Sequence, residues 1–216
     1  MHRSLLAGTA LVAIAQPLAA QTVISAPRTT PVVTSTVNGG QPADVRIETA
    51  GSVTVTSGAA VTVDSNNNVT NAGNITISNA DNATGILVTG NRTANITNSG
   101  TITIDETYTA TDSDNDGDID GLFAIGTGRA AIRIDGALTG NLVHTGTIVV
   151  EGNNSAGIRA AGPITGNVTH EGRTTVTGNN SLGVGLGDVS GNVRLAGEII
   201  ARGANTQGAV LAGDIG

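Results

Sequence analysis

Short runs of alternating apolar and polar residues recur along the chain and predict β-strands. The alternation is clear in Val53-Thr54-Val55 and in Ile75-Thr76-Ile77, where every second side chain is apolar. A period of two places these apolar side chains on one face of an extended strand. No stretch of the repeats shows the periodicity of a helix, so the pattern predicts an all-β fold.

The strand patterns repeat in register. A glycine that begins a strand recurs at spacings of 27, 46, 26 and 25 residues, at Gly73, Gly100, Gly146, Gly172 and Gly197. Five residues before each glycine is an asparagine, at Asn68, Asn95, Asn141, Asn167 and Asn192. A second anchor follows 11 or 12 residues after the glycine in four copies, at Gly85, Gly157, Gly183 and Gly208. An earlier copy around Gly51 has Arg46 where the others have asparagine.

These anchors divide each repeat into three short strands. In one copy the strands are expected at 147–150, 158–160 and 167–169, with glycine and asparagine adopting positive φ at the corners. A β-sandwich or a barrel does not require register-matched repeats of about 25 residues, whereas a parallel β-helix (β-solenoid) does. The sequence therefore predicts a parallel β-solenoid of about six coils, about 30 Å long.

Composition agrees with a thin solenoid core. The 216 residues include one Phe, one Tyr, no Trp and no Cys, while hydrophobic residues reach 38% and charged residues only 12%. A core without aromatic residues has to be filled by Val, Ile, Leu and Ala, and the missing cysteines exclude disulfides and thiolate sites. The net charge of −7, with no basic patch, argues against a nucleic-acid partner.

The N-terminus predicts export. Residues 1–20 match a signal peptide. They begin with a positively charged segment, continue with an apolar run from Leu5 to Ala15 and end in small residues up to Ala20. The run is too short to span a bilayer, so we expect no membrane span in this chain. Residues 21–44 are assigned to an N-terminal lead-in or cap, and residues 45–216 to the repeats.

The 46-residue spacing indicates an insertion of about 20 residues, at about 105–125. Five aspartates alternate with other residues inside it, at Asp112, Asp114, Asp116, Asp118 and Asp120. Carboxylates at alternate positions, with Gly117 at the sixth, are typical of a loop that wraps oxygen ligands around Ca²⁺. Phe123 stands where an EF-hand has its bidentate Glu, so the pattern predicts a Ca²⁺ site of another kind, with a solvated acidic loop as the alternative.

Other candidate chemistry is sparse. His144 and His170 occupy equivalent positions in adjacent coils, which favours a stacked ladder over a metal or catalytic pair. The sequence has no nucleophile elbow and no phosphate-binding loop, and the acidic residues outside the insertion are scattered. We therefore predict no enzymatic activity. Catalytic carboxylates stay open as an alternative, because pectin-degrading enzymes use Asp clusters on parallel β-helices.

The signal peptide, the Asn-x-Gly-x-Ile-x-Ile repeats and the Gly-Asn-Val-Thr segments resemble the passenger region of bacterial type V autotransporters and related filamentous surface proteins. The resemblance covers roughly residues 45–216. It implies secretion across the outer membrane of a Gram-negative bacterium, a cell-surface or extracellular location, and a role in adhesion. The C-terminal β-barrel of that family has no counterpart here, so we expect the polypeptide to continue downstream.

The sequence thus favours an exported structural or adhesive segment with a Ca²⁺-binding loop. The expected partner is a surface or host ligand, a glycan or a second copy of the chain. Two alternatives stay open. One is a polysaccharide lyase or hydrolase on the same fold, and the other is an inert spacer for a functional region downstream.

Overall fold

A computed structural model describes residues 20–117 and 119–216, so the predicted signal peptide lies outside the described residues except for Ala20. In these ranges the chain forms strands and no helix. The strands of the first half are β1 (Gln21–Ile24), β2 (Pro27–Arg28), β3 (Val32–Val33), β4 (Asp44–Ile47), β5 (Ser52–Val55), β6 (Ala59–Val63), β7 (Val69–Asn71), β8 (Asn74–Ser78), β9 (Thr84–Val88), β10 (Arg92–Thr93), β11 (Ile96–Asn98) and β12 (Thr101–Asp105). Those of the second half are β13 (Ala130–Ile134), β14 (Leu138–Thr139), β15 (Leu142–His144), β16 (Thr147–Glu151), β17 (Ala156–Ala160), β18 (Ile164–Thr165), β19 (Val168–His170), β20 (Arg173–Thr177), β21 (Leu182–Leu186), β22 (Val193–Leu195), β23 (Glu198–Arg202) and β24 (Gln207–Leu211).

The strands assemble into three parallel seven-stranded sheets, which confirms the predicted β-solenoid. Sheet A has the order β1-β4-β7-β11-β15-β19-β22, sheet B the order β2-β5-β8-β12-β16-β20-β23, and sheet C the order β3-β6-β9-β13-β17-β21-β24. Each coil passes through sheets A, B and C in turn. A further short sheet, β10-β14-β18, forms at the corner that leads from sheet C back to sheet A, where the repeat pattern predicts no strand.

The described residues contain seven coils, one more than the expected six. The additional coil runs from β1 to β3, within the segment predicted as a lead-in, and β1 pairs with β4 from Gln21↔Asp44 to Ile24↔Ile47. This coil lacks the glycine and asparagine anchors of the later repeats. The repeat pattern therefore does not predict it.

Aliphatic ladders fill the interior, as the composition predicts. Each ladder is a row of in-register residues, and one row in sheet B runs Val53, Ile75, Ile102 and Ile148. All four side chains are fully buried. Because like residues stack at about 4.8 Å, continuous rows of Ile, Val and Leu fill the core without aromatic side chains.

The first-anchor glycines lie at the corner between sheets A and B, where successive coils touch through their backbones. A Cβ on Gly146 would lie 2.0 Å from the carbonyl oxygen of Gly100, and one on Gly172 would lie 2.2 Å from that of Gly146. Glycine is required at these positions because a Cβ would clash with the backbone of the neighbouring coil. The expected positive φ is therefore wrong for these glycines. Positive φ is found at two other corners. Between sheets B and C it forms one register row at Asn82, Gly128, Asn154, Asn180 and Asn205, and between sheets C and A it occurs at Gly90, Gly140 and Gly166.

The predicted asparagine ladder has a backbone role. The side-chain oxygen of Asn95 accepts the N–H of Asn141 at 2.9 Å, and that of Asn141 accepts the N–H of Asn167 at 2.8 Å. In the second coil the equivalent position is Asp44, whose carboxylate accepts the N–H of Asn68 at 2.9 Å. The alignment of Arg46 with this ladder is therefore wrong, because Arg46 pairs with Thr70.

Within the described ranges, no helix has the length and apolar character needed to cross a bilayer.

Candidate functional site

The insertion leaves the solenoid in the fourth coil, between the end of β12 at Asp105 and the start of β13 at Ala130. It therefore replaces the short corner that joins sheets B and C in the other coils. The coils on both sides of it keep their register, since β12 pairs with β8 and β16 and β13 pairs with β9 and β17. The insertion is a side structure on an uninterrupted rod.

A buried ion pair closes the base of the insertion. Glu106, its first residue, contacts Arg129, its last, with 3.0 Å between the carboxylate and guanidinium groups and side-chain exposures of 5% and 2%. The Glu106 carboxylate also accepts the N–H groups of Ile125 and Gly126 at 2.6 and 2.7 Å. Arg129 in turn donates to the carbonyl oxygens of Ala80, at 2.9 Å, and of Glu151. Both charges are thus compensated by several hydrogen bonds, as burial requires.

The sequence did not predict this ion pair, which we call the clamp. The available signal was an opposite-charge pair that brackets the insertion, Glu106 at one end and Arg129 at the other. Charges that far apart in sequence carry no pairing information until the register of the coils is known.

The aspartate loop brings together three of the five predicted calcium ligands. Carboxylate oxygens of Asp112, Asp114 and Asp116 all lie within 4.8 Å of one another. Positive φ angles at Asn115 (59°) and Gly117 (101°) curl the backbone around them. The Gly117 N–H donates to Asp112 at 3.0 Å, while the other oxygen of this carboxylate is buried and accepts no hydrogen bond from the described residues.

The other two predicted ligands differ from this group. The Asp120 carboxylate accepts both the N–H and the hydroxyl of Ser113 at 2.6 Å, and the Asp120 N–H donates to the carbonyl of Thr111. The hydroxyl and N–H of Ser113 hold the pKa of Asp120 below its usual value. Asp120 therefore closes the loop as an anion. Asp118 lies outside the described residues.

The two aromatic residues of the chain lie outside the core, beside the loop. Tyr108 and Phe123 are half-buried and line a cleft of about 350 Å³ between the insertion and sheet B. The Tyr108 hydroxyl donates to the carbonyl of Leu122 at 2.9 Å. Asp105 and Glu151, at the ends of the paired strands β12 and β16, line the same cleft.

The histidine pair forms part of a buried polar column in sheet A. In register order its members are Asn71, Asn98, His144 and His170, all fully buried. The two rings stack edge-on with centroids 5.0 Å apart, which confirms the predicted ladder arrangement. His170 Nε2 lies 2.9 Å from the Thr174 hydroxyl. Such enclosed rings are inaccessible to a substrate.

Comparison with known proteins gives no relative for this chain: no protein family, no curated protein and no solved structure matches it.

Proposed function

We propose that this protein is an exported structural and adhesive rod of a Gram-negative bacterium, located at the cell surface or outside the cell. The observation that carries the proposal is a solenoid of uniform coils that holds one clamped, acidic side loop. Uniform parallel coils supply a stiff rod with long repetitive faces, as in other solenoids whose surfaces bind partners. The predicted signal peptide and the resemblance to autotransporter passengers support the location.

We propose Ca²⁺ as the ion that orders the acidic loop. Three carboxylates within 4.8 Å repel one another, and a hard divalent cation with oxygen ligands relieves that repulsion. The unpartnered oxygen of Asp112 supports a ligand role for this residue. Asp114 and Asp116 are the other two ligands that the geometry favours, whereas Asp120 is already engaged by Ser113.

Calcium titration of the purified protein tests this assignment. We expect calorimetry to register Ca²⁺ binding at millimolar concentrations or below, the range of extracellular modules. The double variant Asp114→Asn/Asp116→Asn should lose the heat of binding. Glu48→Gln, which removes an exposed carboxylate just after the end of β4, should retain it. Equal heats for the wild type and the double variant would refute the site.

Surface attachment tests the adhesive function. Residues 109–121 are replaced by a short Gly-Ser linker, which removes the aspartates but keeps Glu106 and Arg129 paired. We expect attachment of the purified protein to cells or coated surfaces to fall when the loop is replaced and when calcium is chelated. Unchanged attachment would favour the spacer alternative.

The cleft beside the insertion favours one second candidate, a polysaccharide-cleaving enzyme. Two carboxylates on neighbouring strands and two aromatic rings are the groups that glycoside hydrolysis and sugar stacking use. Incubation with a panel of polysaccharides, with and without Ca²⁺, tests this candidate. Turnover that disappears in Asp105→Asn and in Glu151→Gln would establish it in place of the adhesive function.

A further inference from the structure

A polar trough lies on sheet C, next to the corner that joins sheets B and C. Its volume is about 550 Å³, most of its lining lies in the fourth, fifth and sixth coils, and Asn82 of the third coil also lines it. Ala130 and Ala156 form its floor. The exposed Asn154 and Asn180 stand along one side, and Arg133 and Arg159 stand along the other.

The register of the coils turns these residues into two parallel rows. Arg133 pairs with Arg159 on the neighbouring strand, and Ala130 pairs with Ala156. The asparagines occupy successive left-handed corners, with φ of 51° at Asn154 and 54° at Asn180. Amides and guanidinium groups therefore repeat along the rod axis with the coil spacing of about 4.8 Å.

The charge of the trough is opposite to that of the protein. Its charged lining residues are Arg129, Arg133 and Arg159, with no Asp or Glu among them, although the chain carries a net charge of −7. Glu106 neutralises Arg129, and Asp135 lies 3.2 Å from Arg133. Arg159 is exposed and forms no ion pair with any residue that the structure describes.

The arginine row departs from the pairing found elsewhere on the rod. On sheet B, Arg173 is paired with Glu198 on the neighbouring strand, and their guanidinium and carboxylate groups lie 2.9 Å apart. This is the favourable arrangement of opposite charges on adjacent strands. Arg133 and Arg159 instead place like charges on adjacent strands, and Asp135 offsets the charge of Arg133 alone. A planar carboxylate matches the arginine fork and accepts two hydrogen bonds from it.

We propose that this trough binds a linear polysaccharide that carries carboxylates, such as a polyuronate. The proposal rests on the proposed adhesive function and names the chemical class of its ligand. Carboxylates pair with Arg159 and Arg133, and sugar hydroxyls hydrogen-bond to the amides of Asn154 and Asn180. The floor of alanines leaves room for sugar rings, and two coil steps of about 4.8 Å give a length of about 10 Å.

The lining favours a glycan over a single-stranded nucleic acid. Proteins that bind single strands combine positive charge with aromatic side chains on which the bases stack. No aromatic residue lines the trough. Hydrogen bonds from fixed amides and arginines suit a ligand rich in hydroxyl and carboxylate oxygens.

Binding to immobilised polygalacturonate, measured by biolayer interferometry with the full chain, tests the proposal. We expect the wild type to bind, Arg159→Gln to bind about tenfold more weakly, and Arg133→Gln/Arg159→Gln to lose binding. The fully methyl-esterified polymer, which lacks the carboxylate charge, should not bind. Circular dichroism of each variant checks that the solenoid is intact.

Arg46→Gln is the matched control, because it removes one exposed arginine from sheet A and changes the net charge equally. It should bind like the wild type. An equal loss in Arg46→Gln and Arg159→Gln, equal binding of the methyl ester, or tighter binding of single-stranded polythymidine would each overturn the proposal.

Surface attachment is scored on the same proteins, which separates this proposal from the adhesive function. If Arg159→Gln retains polygalacturonate binding, the trough is refuted as the binding site. If the same variant also retains attachment, the adhesive function stands. Polygalacturonate binding with no attachment by the wild type would support the trough and refute the adhesive function.

Discussion

At the scale of single residues, the most unusual feature is the polar column inside an aliphatic core. The amide nitrogen of Asn98 lies 3.0 Å from His144 Nδ1, and His144 Nε2 lies 3.3 Å from the carbonyl oxygen of Arg173. An amide N–H₂ only donates, so Nδ1 accepts and the proton of the neutral ring is on Nε2. The hydrogen bond from Asn98 to His144 forms only while Nδ1 of His144 is unprotonated.

This arrangement predicts a loss of stability in mild acid. Burial lowers the pKa of His144 to about 4, from an ordinary 6.5, and also lowers the pKa of His170. Between these two pH values the unfolded chain takes up the proton and the folded chain does not. The free energy of unfolding should therefore fall as the pH decreases from about 6.5 to about 4, by about 3 kcal/mol from His144.

Denaturant unfolding at pH 7 and pH 4.5 measures this effect. His144→Asn/His170→Asn extends the asparagine column and removes both titrating rings, so its stability should change much less over this range. A pH dependence equal to that of the wild type would show that other groups are responsible.

At the scale of elements, the glycine corner between sheets A and B sets how closely coils stack. Gly146→Ala should destabilise the protein by about 1–3 kcal/mol, because the added methyl group would lie 2.0 Å from the carbonyl oxygen of Gly100. Backbone atoms of Ser99, at 2.6 and 2.7 Å, also leave it no room. The midpoint of thermal or denaturant unfolding measures the loss.

Gly208→Ala is the control for this substitution. Its nearest contact would be 3.9 Å from Ile199, and its φ is not in the left-handed region, so the extra methyl group should be tolerated. A similar loss in both variants would mean that glycine content in general, rather than the corner contact, governs stability.

At the scale of the whole molecule, the buried ion pair of Glu106 and Arg129 holds the base of the insertion on the rod. Glu106→Gln should reduce the free energy of unfolding by about 3–5 kcal/mol, because the buried Arg129 would keep only the exposed Asp81, 3.9 Å away, as a counter-charge. The Gly-Ser replacement of residues 109–121 should leave stability nearly unchanged, since neighbouring coils keep their pairing.

Glu198→Gln gives the matched comparison, because its partner Arg173 is exposed and the pair contributes less than about 1 kcal/mol. Denaturant unfolding of the three variants separates the clamp from the loop. A larger loss from the linker variant than from Glu106→Gln would contradict this division.

The fold could be predicted from the sequence because successive coils of a solenoid carry the same pattern of residues. Gly100, Gly146 and Gly172 recur at coil spacing, and the period-two strands between them show which side chains face inward. The first coil escaped prediction because it shares none of these anchors. The expected positive φ is absent at the first-anchor glycines and present at other corner residues such as Gly140 and Asn154, because a glycine required for close approach and one required for a left-handed turn look alike in sequence.

The sequence by itself determined the architecture, the aliphatic core and the aspartate-rich loop, since each is written in local periodicity or spacing. Only the tertiary structure decided which distant residues meet. It paired Glu106 with Arg129, turned Asp120 toward Ser113, and aligned Arg133 with Arg159 beside rows of amides. The physical reason is register: contacts between coils depend on how each turn stacks on the next, and a one-residue shift would exchange every partner.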